Sequence, residues 1–531
     1  MTNEEILRAV RENRTALGIE LGSSRIKAVL IGPDHQPIAT GSYAWENRLE
    51  DGLWTYSLED VWTGLRACYA ALSEKVRSLC GQPLTSVGSM GISAMMHGYL
   101  AFDQSGTLLA PFRTWRNTNT QQAAQQLTQA LGFNIPLRWS AAHFYQAVLN
   151  KESHTQAVTY LTTLSGYVHW KLTGEKVLGV GDASGMFPVD SEKCDYDARM
   201  LERYDEMLHA AGARQHLRDL LPKVLRAGQA AGRLTPEGAQ LLDPTGALQA
   251  GITLCPPEGD AGTGMVATNS VLPRTGNVSM GTSVFAMIVL EKPLSKVYPE
   301  IDLVTTPSAH PVAMVHCNNG TSDLDAWAGM LREFAAALGV PCTLGQALDV
   351  LFAAARTGQT DCGGVVNWNY VSGEPITGLN KGCPMVVRRP DSSLSLGNFA
   401  RAQLYSIVAS LALGMDLLLR QEQVQLDRLM GHGGFFKAAQ TGQQVLADAM
   451  GVPVSVMETA GEGGPWGMAL LAAYLAWKQP DESLEDYLSG QVFRANGNPA
   501  YPSPEGQKGF QAFLKGYQSA LEAERCAAEH L

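Results

Sequence analysis

Two stretches of the chain share an arrangement that could bind phosphate. In the first, Glu20-Leu21-Gly22-Ser23-Ser24 leads into a run that contains Lys27. In the second, Ser279-Met280-Gly281-Thr282-Ser283 leads into "VFAMIV". A glycine followed by two hydroxyl residues brings backbone N–H groups and hydroxyls close to an anion, because no Cβ stands in the way. Two such turns suit a polyphosphate, and the chain has no G-x-x-x-x-G-K-[ST], so this is not a P-loop. Only the first copy carries an acid before its turn. A carboxylate beside phosphate repels it unless a cation intervenes, and Mg2+ takes one or two carboxylates plus phosphate oxygens. One acid for two turns therefore fits a single Mg2+–nucleotide, with Glu20 on the metal side. The plainer reading makes both turns surface hairpins and Glu20 a solvated acid paired with Lys27 or Arg25.

Asp260 lies in "PPEGDAGTGMVAT", a glycine-rich loop between a strand and a helix start. It reads either as a helix N-cap or as a general base that accepts a hydroxyl proton during phosphoryl transfer. Gly433-Gly434, and Gly461, Gly463 and Gly464, precede later helices. Such glycines either let a nucleotide approach the backbone or simply punctuate loops. In the first half, Met96, His97, Trp115, Arg116 and Asn117 fall at strand ends, where neighbouring polar groups would line a crevice for a polyol. Gly262-x-Gly264-x-x-Ala267 matches a loose dinucleotide pattern, but without a first βαβ position it supports a dehydrogenase weakly.

The elements that must position these residues are of α/β type. Strand-like runs "LGIEL" and "RIKAVLIG" and the helix at 57–75 precede "TSVGSMGIS". Residues 120–131, 141–173 and 196–240 read as helical, as do 322–337, 343–356, 398–422 and 436–450. The echo between the two hydroxyl turns suggests a duplicated domain with a ligand between the halves. A chain of 531 residues also calls for at least two domains. The expected division is a helical extension at 1–14, a first domain at 15–268 and a second at 269–531.

The net charge of −11, with no basic run, argues against a nucleic-acid partner. Nine scattered cysteines without a C-x-x-C pair read as buried free thiols in a reducing cytoplasm. The amino terminus lacks the apolar core of a signal peptide, and the apolar window at 404–419 reads as a buried helix rather than a membrane span.

Taken in order, the motifs resemble the FGGY carbohydrate kinases, the family of xylulokinase, ribulokinase, fuculokinase and glycerol kinase. The resemblance runs from about Leu17 to about Trp477. It rests on "GIELGSSRIKAVLI", "GISAMMHG", "TWRNT", "LTGEKVLGVGDASGM", "EGDAGTGMVAT", "GNVSMGTSVF", "NWNYVSGEPIT", "GHGGFFKAAQTGQQVLADAMGVPV" and "GEGGPWGMALLAAY". It implies two ribonuclease-H-like, actin-type domains with an interdomain cleft. The implied activity is transfer of the γ-phosphate of ATP, with Mg2+, to a sugar hydroxyl. On this resemblance Asp260 is the catalytic base and also contacts metal and sugar, and Glu20 stands where the family has Asp near Mg2+. Ser23, Ser24, Lys27, Gly281 and Thr282 face the phosphates, and Gly433 and Gly434 the nucleotide. Met96, His97, Trp115 and Asn117 contact the sugar, and the Met-His pair leans toward a ketopentose of the ribulose or xylulose class. The expected partners are a small sugar and ATP, with no nucleic acid and no membrane, and the implied assembly is a homodimer. The departures are Glu20 for Asp, Arg116-Asn117 for the usual Asn/Gln-Asp, and His432 within the glycine run. Two alternatives stay open: a kinase for another ketose or polyol of the fuculose or hexulose type, and a non-catalytic actin-like switch that binds ATP.

Overall fold

The computed structural model describes residues 1–436, 440–456, 463–493 and 498–531. The chain forms two compact units. The first comprises Met1–Leu272, Asp302–Val312 and Glu462–Arg494; the second comprises Pro273–Ile301, Ala313–Gly461 and Ala495–Leu531. The segments Asp302–Val312 and Glu462–Arg494, expected within the second domain, thus pack in the first.

In the first unit, helix α1 (Asn3–Arg11) starts from a capping box in which Thr2 and Glu5 satisfy each other's backbone N–H groups. Strands β1 (Ala16–Leu21), β2 (Arg25–Ile31) and β3 (Pro37–Ala44) form an antiparallel meander. Helix α2 (Leu58–Cys80) follows, capped by Ser57 and closed by Gly81 in the left-handed region. Strand β4 (Ser89–Ala94) then lies parallel to β1 on its other side. The short strands β5 (Thr253–Leu254) and β6 (Glu258–Gly259) both run parallel to β4. The sheet order is β5-β4-β1-β2-β3, with β6 beside β4. Helix α3 (Asp260–Ala267) leaves directly from β6.

The second unit repeats this plan. Strands β7 (Thr275–Met280) and β8 (Val284–Val289) form an antiparallel hairpin, flanked by β9 (Pro311–Cys317). Helix α4 (Leu396–Asp416) precedes β10 (Arg428–His432), which runs parallel to β7. Helix α5 (Thr441–Met450) leads to β11 (Val454–Val456), parallel to β10. The order β9-β8-β7-β10-β11 corresponds to β3-β2-β1-β4-β5 of the first sheet, and a further edge strand, Ile301–Thr305, lies beyond β9. The two hydroxyl turns occupy the same place in it, although Leu21 pairs with Ile26 across four residues and Met280 with Val284 across three.

Helix α6 (Gly463–Trp477) explains why the chain returns to the first unit. It is apolar all round, so it needs cover on every side. Gly18 of β1 lets it approach the sheet: a Cβ there would stand 2.1 Å from the Pro465 carbonyl and 2.3 Å from the Ala469 nitrogen. Gly467 gives the same closeness on the other side, where a Cβ would meet the Thr263 carbonyl of α3 at 2.0 Å. On the far side of the sheet Gly41 of β3 sits against the Cys68 carbonyl of α2.

Some expected elements divide. Residues 141–173 form helix Ser140–Leu149, a 3-10 turn at Ser153–Ala157, a strand at Tyr160–Thr162 and helix Leu164–Thr173. The β-branched run around Tyr160–Thr162 pairs with Leu100–Phe102 and breaks the helix. The stretch 196–240 likewise holds three separate helices and a short strand. Of the nine cysteines, all free, Cys526 is exposed and Cys194, Cys342 and Cys383 are half-buried. The continuous helical run Leu396–Gln421 is long and apolar enough to cross a membrane, yet most of its apolar window is packed inside the protein.

Candidate active site

In the first unit, Glu20, Met96, His97 and Asp260 converge because three strand ends lie side by side. Parallel pairing sets Glu20 beside Ser93 and Glu258 on Ser93's other flank, while antiparallel pairing sets Glu20 against Lys27. Beyond β4, the Met96 N–H donates to Asp260 Oδ1 at 3.1 Å. That bond aims the carboxylate of the residue that opens α3.

Glu20 is not the solvated acid of the plainer reading. Its Oε2 is buried without a hydrogen-bond partner among the described residues. Burial, and then the nearby Asp260 charge, push its carboxyl up to about 8, against the pull of Lys27 and Ser93. Gly464 makes the room it occupies: a Cβ at 464 would stand 1.5 Å from Oε2. Asp260 is not an N-cap either, since Gly259 holds that position and α3 has no side-chain cap. The Asp260 side chain reaches solvent, but dense surrounding protein raises its carboxyl above the usual range. The N–H groups of Met96 and Ala261 pull the other way. Two carboxyls that repel each other, one with a buried unpartnered oxygen, fit a divalent cation. Among the described residues, no three His, Cys, Asp or Glu side chains form a metal cage.

His97 has a positive φ of 69°, in the left-handed region. Its Nδ1 pairs with the Gly185 carbonyl at 3.0 Å, and its ring stacks on Trp139. Burial, aided by the Arg138 charge, lowers its pKa to about 3, so the imidazole is neutral. Trp115 is partly exposed and donates from Nε1 to Ser23 Oγ at 3.1 Å, joining the crevice to the first turn. Ser23 and Ser24 are exposed, and the Tyr56 hydroxyl anchors the Ser23 carbonyl at 2.5 Å. Asn117 is committed elsewhere. It is buried, accepts from the Trp54 N–H at 2.9 Å and donates to the carbonyls of Trp54 and Thr114. Its amide holds the loop rather than facing a ligand. Arg116 beside it stacks its guanidinium over Trp54 at 3.8 Å.

Two further carboxyls join this set, and neither was singled out from the sequence. Asp182 is fully buried, accepts from Thr163 Oγ1 at 2.6 Å and from Ser165, and leaves Oδ1 unpartnered. Burial pushes it up to about 7. Glu258 is also buried and accepts from the Asp182 N–H at 2.9 Å. Both lie inside quoted motifs. Their signal was an acid in an otherwise apolar or glycine-rich run.

In the second unit, the Gly281 N–H closes its turn on the Ser283 carbonyl at 3.0 Å. The N–H groups of Gly320 and Thr321 hold the Thr282 and Gly281 carbonyls, each at 2.8 Å. Gly433, at φ 107°, presses on this turn, and a Cβ there would stand 2.3 Å from the Met280 carbonyl. Gly434 faces open space, as does Gly281. Gly281, Thr282, Gly433 and Gly434 are therefore one cluster, assembled by the parallel pairing of β7 and β10. Gly461 lies outside the described residues.

Comparison with known proteins matches this geometry to one family. Residues 15–253 match the N-terminal domain of the FGGY family of carbohydrate kinases, and residues 276–476 match its C-terminal domain. A xylulose kinase of Klebsiella pneumoniae is 28% identical over 484 residues, covering 87% of this chain and 89% of that protein. A xylulose kinase of Escherichia coli strain K12 is 25% identical, covering 89% and 92%. Among solved structures, a ligand-bound xylulose kinase from Lactobacillus acidophilus aligns with a TM-score of 0.77 at 17% identity, covering 97% of this chain and 99% of its own. A gluconate kinase from the same organism aligns with a TM-score of 0.78 at 17% identity and the same coverage, so the fold is shared across sugars. The two matched domains and the duplicated actin-type sheets identify the chain as a member of the FGGY family of carbohydrate kinases, a sugar kinase that uses ATP.

Proposed function

We propose that this kinase transfers the γ-phosphate of ATP to a terminal hydroxyl of a ketopentose of the xylulose or ribulose class. The observation that carries this reading is Asp260, aimed by the Met96 N–H beside the neutral His97. Asp260 accepts the proton of the attacking hydroxyl, and burial, which raises its carboxyl above the ordinary range, makes it a stronger base than a free carboxylate. Met96 and His97, with Trp115 at the rim, bind and orient the sugar. Ser23, Ser24 and Lys27 of the first unit, and Gly281, Thr282, Gly433 and Gly434 of the second, bind ATP. Glu20 and Asp260 would hold a Mg2+ ion, which supplies charge neutralisation at the phosphoryl oxygens. The sugar assignment is supported by the Met-His pair and by the curated relatives, which are named as xylulose kinases. The enzyme is proposed to act in the cytoplasm as a homodimer.

A coupled ADP-release assay over D- and L-xylulose, D- and L-ribulose, fuculose, glycerol and gluconate tests the reading. The expected result is a kcat/KM for one ketopentose at least about tenfold above every other acceptor. A preference for gluconate, glycerol or fuculose would overturn the sugar class while leaving the kinase intact.

A further inference from the structure

Glu258 is a buried acid that the proposed chemistry does not use. It is 1% exposed and takes its hydrogen bonds from backbone rather than from a cation. The Asp182 N–H donates to one carboxyl oxygen at 2.9 Å and the Gly181 N–H to the other at 3.4 Å. The turn it grips is cut to fit. A Cβ at Gly179 would stand 2.1 Å from Glu258 Oε1, and one at Gly181 would stand 2.4 Å from Oε2. Two glycines within three residues thus give their side-chain space to a single carboxyl. Backbone pairing reinforces the grip, since the Gly179 N–H donates to the Pro257 carbonyl at 2.8 Å.

The gripped turn meets the catalytic segment two residues further on. A Cβ at Gly259 would lie 2.1 Å from Met96 Cγ and 3.3 Å from Asp182 Oδ1, so Gly259 is wedged between these two side chains. Asp260 follows immediately and is aimed by the Met96 N–H. The turn is itself braced: Thr305 donates from its N–H to Ser184 Oγ at 2.9 Å and from Oγ1 to the Val180 carbonyl at 3.0 Å. The direction of Asp260 therefore depends on how firmly residues 180–184 are tied to β6, and Glu258 makes that tie.

We propose that Glu258 is a positioning residue for Asp260: its carboxyl locks the Gly181–Asp182 turn to the strand that presents the base. This rests on Asp260 as the base of the proposed reaction. A displacement of the order of 1 Å at a reacting group costs about 10²-fold in rate. Loss of the lock should therefore lower kcat without weakening ground-state binding.

Full-length Glu258→Ala and Glu258→Gln are compared with the wild type on the best acceptor of the panel. Apparent Tm and binding of a non-hydrolysable ATP analogue are measured alongside. The expected result for Glu258→Ala is a kcat loss of about 10²-fold, with sugar KM and analogue affinity within about threefold of wild type. Glu258→Gln keeps one acceptor oxygen and should recover about tenfold of that loss. A Glu258→Ala enzyme with kcat within about twofold of wild type, or one whose loss lies in KM alone, overturns the proposal. If Glu258→Ala does not fold, Glu258→Asp decides. It draws the carboxyl back by one methylene, and a folded Glu258→Asp variant with wild-type kcat overturns the proposal equally. Asp260→Asn separates the two assignments: full turnover there rejects Asp260 as the base, whereas an inactive Asp260→Asn beside a fully active Glu258→Ala rejects the role of Glu258 alone.

Discussion

Glu20 is a carboxyl held where a carboxylate is costly. One oxygen is buried without a partner, Asp260 repels its charge, and its pKa is pushed up to about 8. A bound cation reverses that balance, because it favours the ionised form. The metal role therefore has a direct test. Glu20→Gln keeps the shape and removes the charge, and should raise the Mg2+ concentration for half-maximal rate by about 10–100-fold. Glu20→Asp, one methylene shorter, should stay near wild type. A Mg2+ titration of the sugar-dependent rate reads both, and an unchanged requirement in Glu20→Gln would remove Glu20 from the metal site. Asn117 illustrates the opposite case at the same scale. Its position after Trp115 marks it as a sugar contact, yet all its bonds go to Trp54 and Thr114. Nothing in the residue type distinguishes a free amide from a saturated one.

At the scale of elements, glycines let helices and turns close on the strand ends that carry the chemistry. Gly18 admits α6 to β1, Gly467 admits α3 to α6, and Gly433 admits the end of β10 to the second turn. Gly18 lies two residues before Glu20, and Gly464 at the start of α6 lines Glu20 itself. Gly18→Ala must push the Pro465 and Ala469 backbone aside, an overpacking that costs about 1–3 kcal/mol. The expected outcome is a lower apparent Tm together with a weakened Mg2+ response, because the strain reaches the Glu20 pocket. Thermal unfolding and the Mg2+ titration check it. A Gly18→Ala protein with wild-type Tm would show that α6 does not pack on β1 as closely as described.

At the scale of the whole molecule, buried carboxyls couple stability to pH. Asp182 ionises near about 3.9 in an unfolded chain, but in the fold it keeps its proton until about 7. Its stabilising contribution is therefore complete below its unfolded pKa and is lost as pH rises through its folded pKa. Glu20 and Glu258, each pushed up to about 8, act in the same direction. The ligand-free protein should lose apparent Tm steadily between pH 5 and pH 8.5, roughly the span between those pKa values. Asp182→Asn should flatten that slope, as differential scanning fluorimetry would show; an unchanged slope would count against a proton on Asp182.

The sequence alone carried the order of the motifs, and with it the duplicated α/β plan and the family. It also marked Glu20 and Asp260 as the acids of interest, because an acid before a glycine-hydroxyl turn and an acid in a glycine-rich loop between strand and helix are local patterns. Tertiary structure decided what depends on neighbours distant along the chain. Glu462–Arg494 joined the first unit because α6 needs apolar cover on all sides, and Asp302–Val312 because Thr305 bonds Ser184 and Val180. Asp182 and Glu258 entered the site because Gly179 and Gly181 leave room for a carboxyl supplied from almost eighty residues away, and Asn117 left it because Trp54 claims its amide. Local spacing records which groups a chain possesses; burial and hydrogen-bond partners, which set what those groups do, exist only once distant segments are packed together.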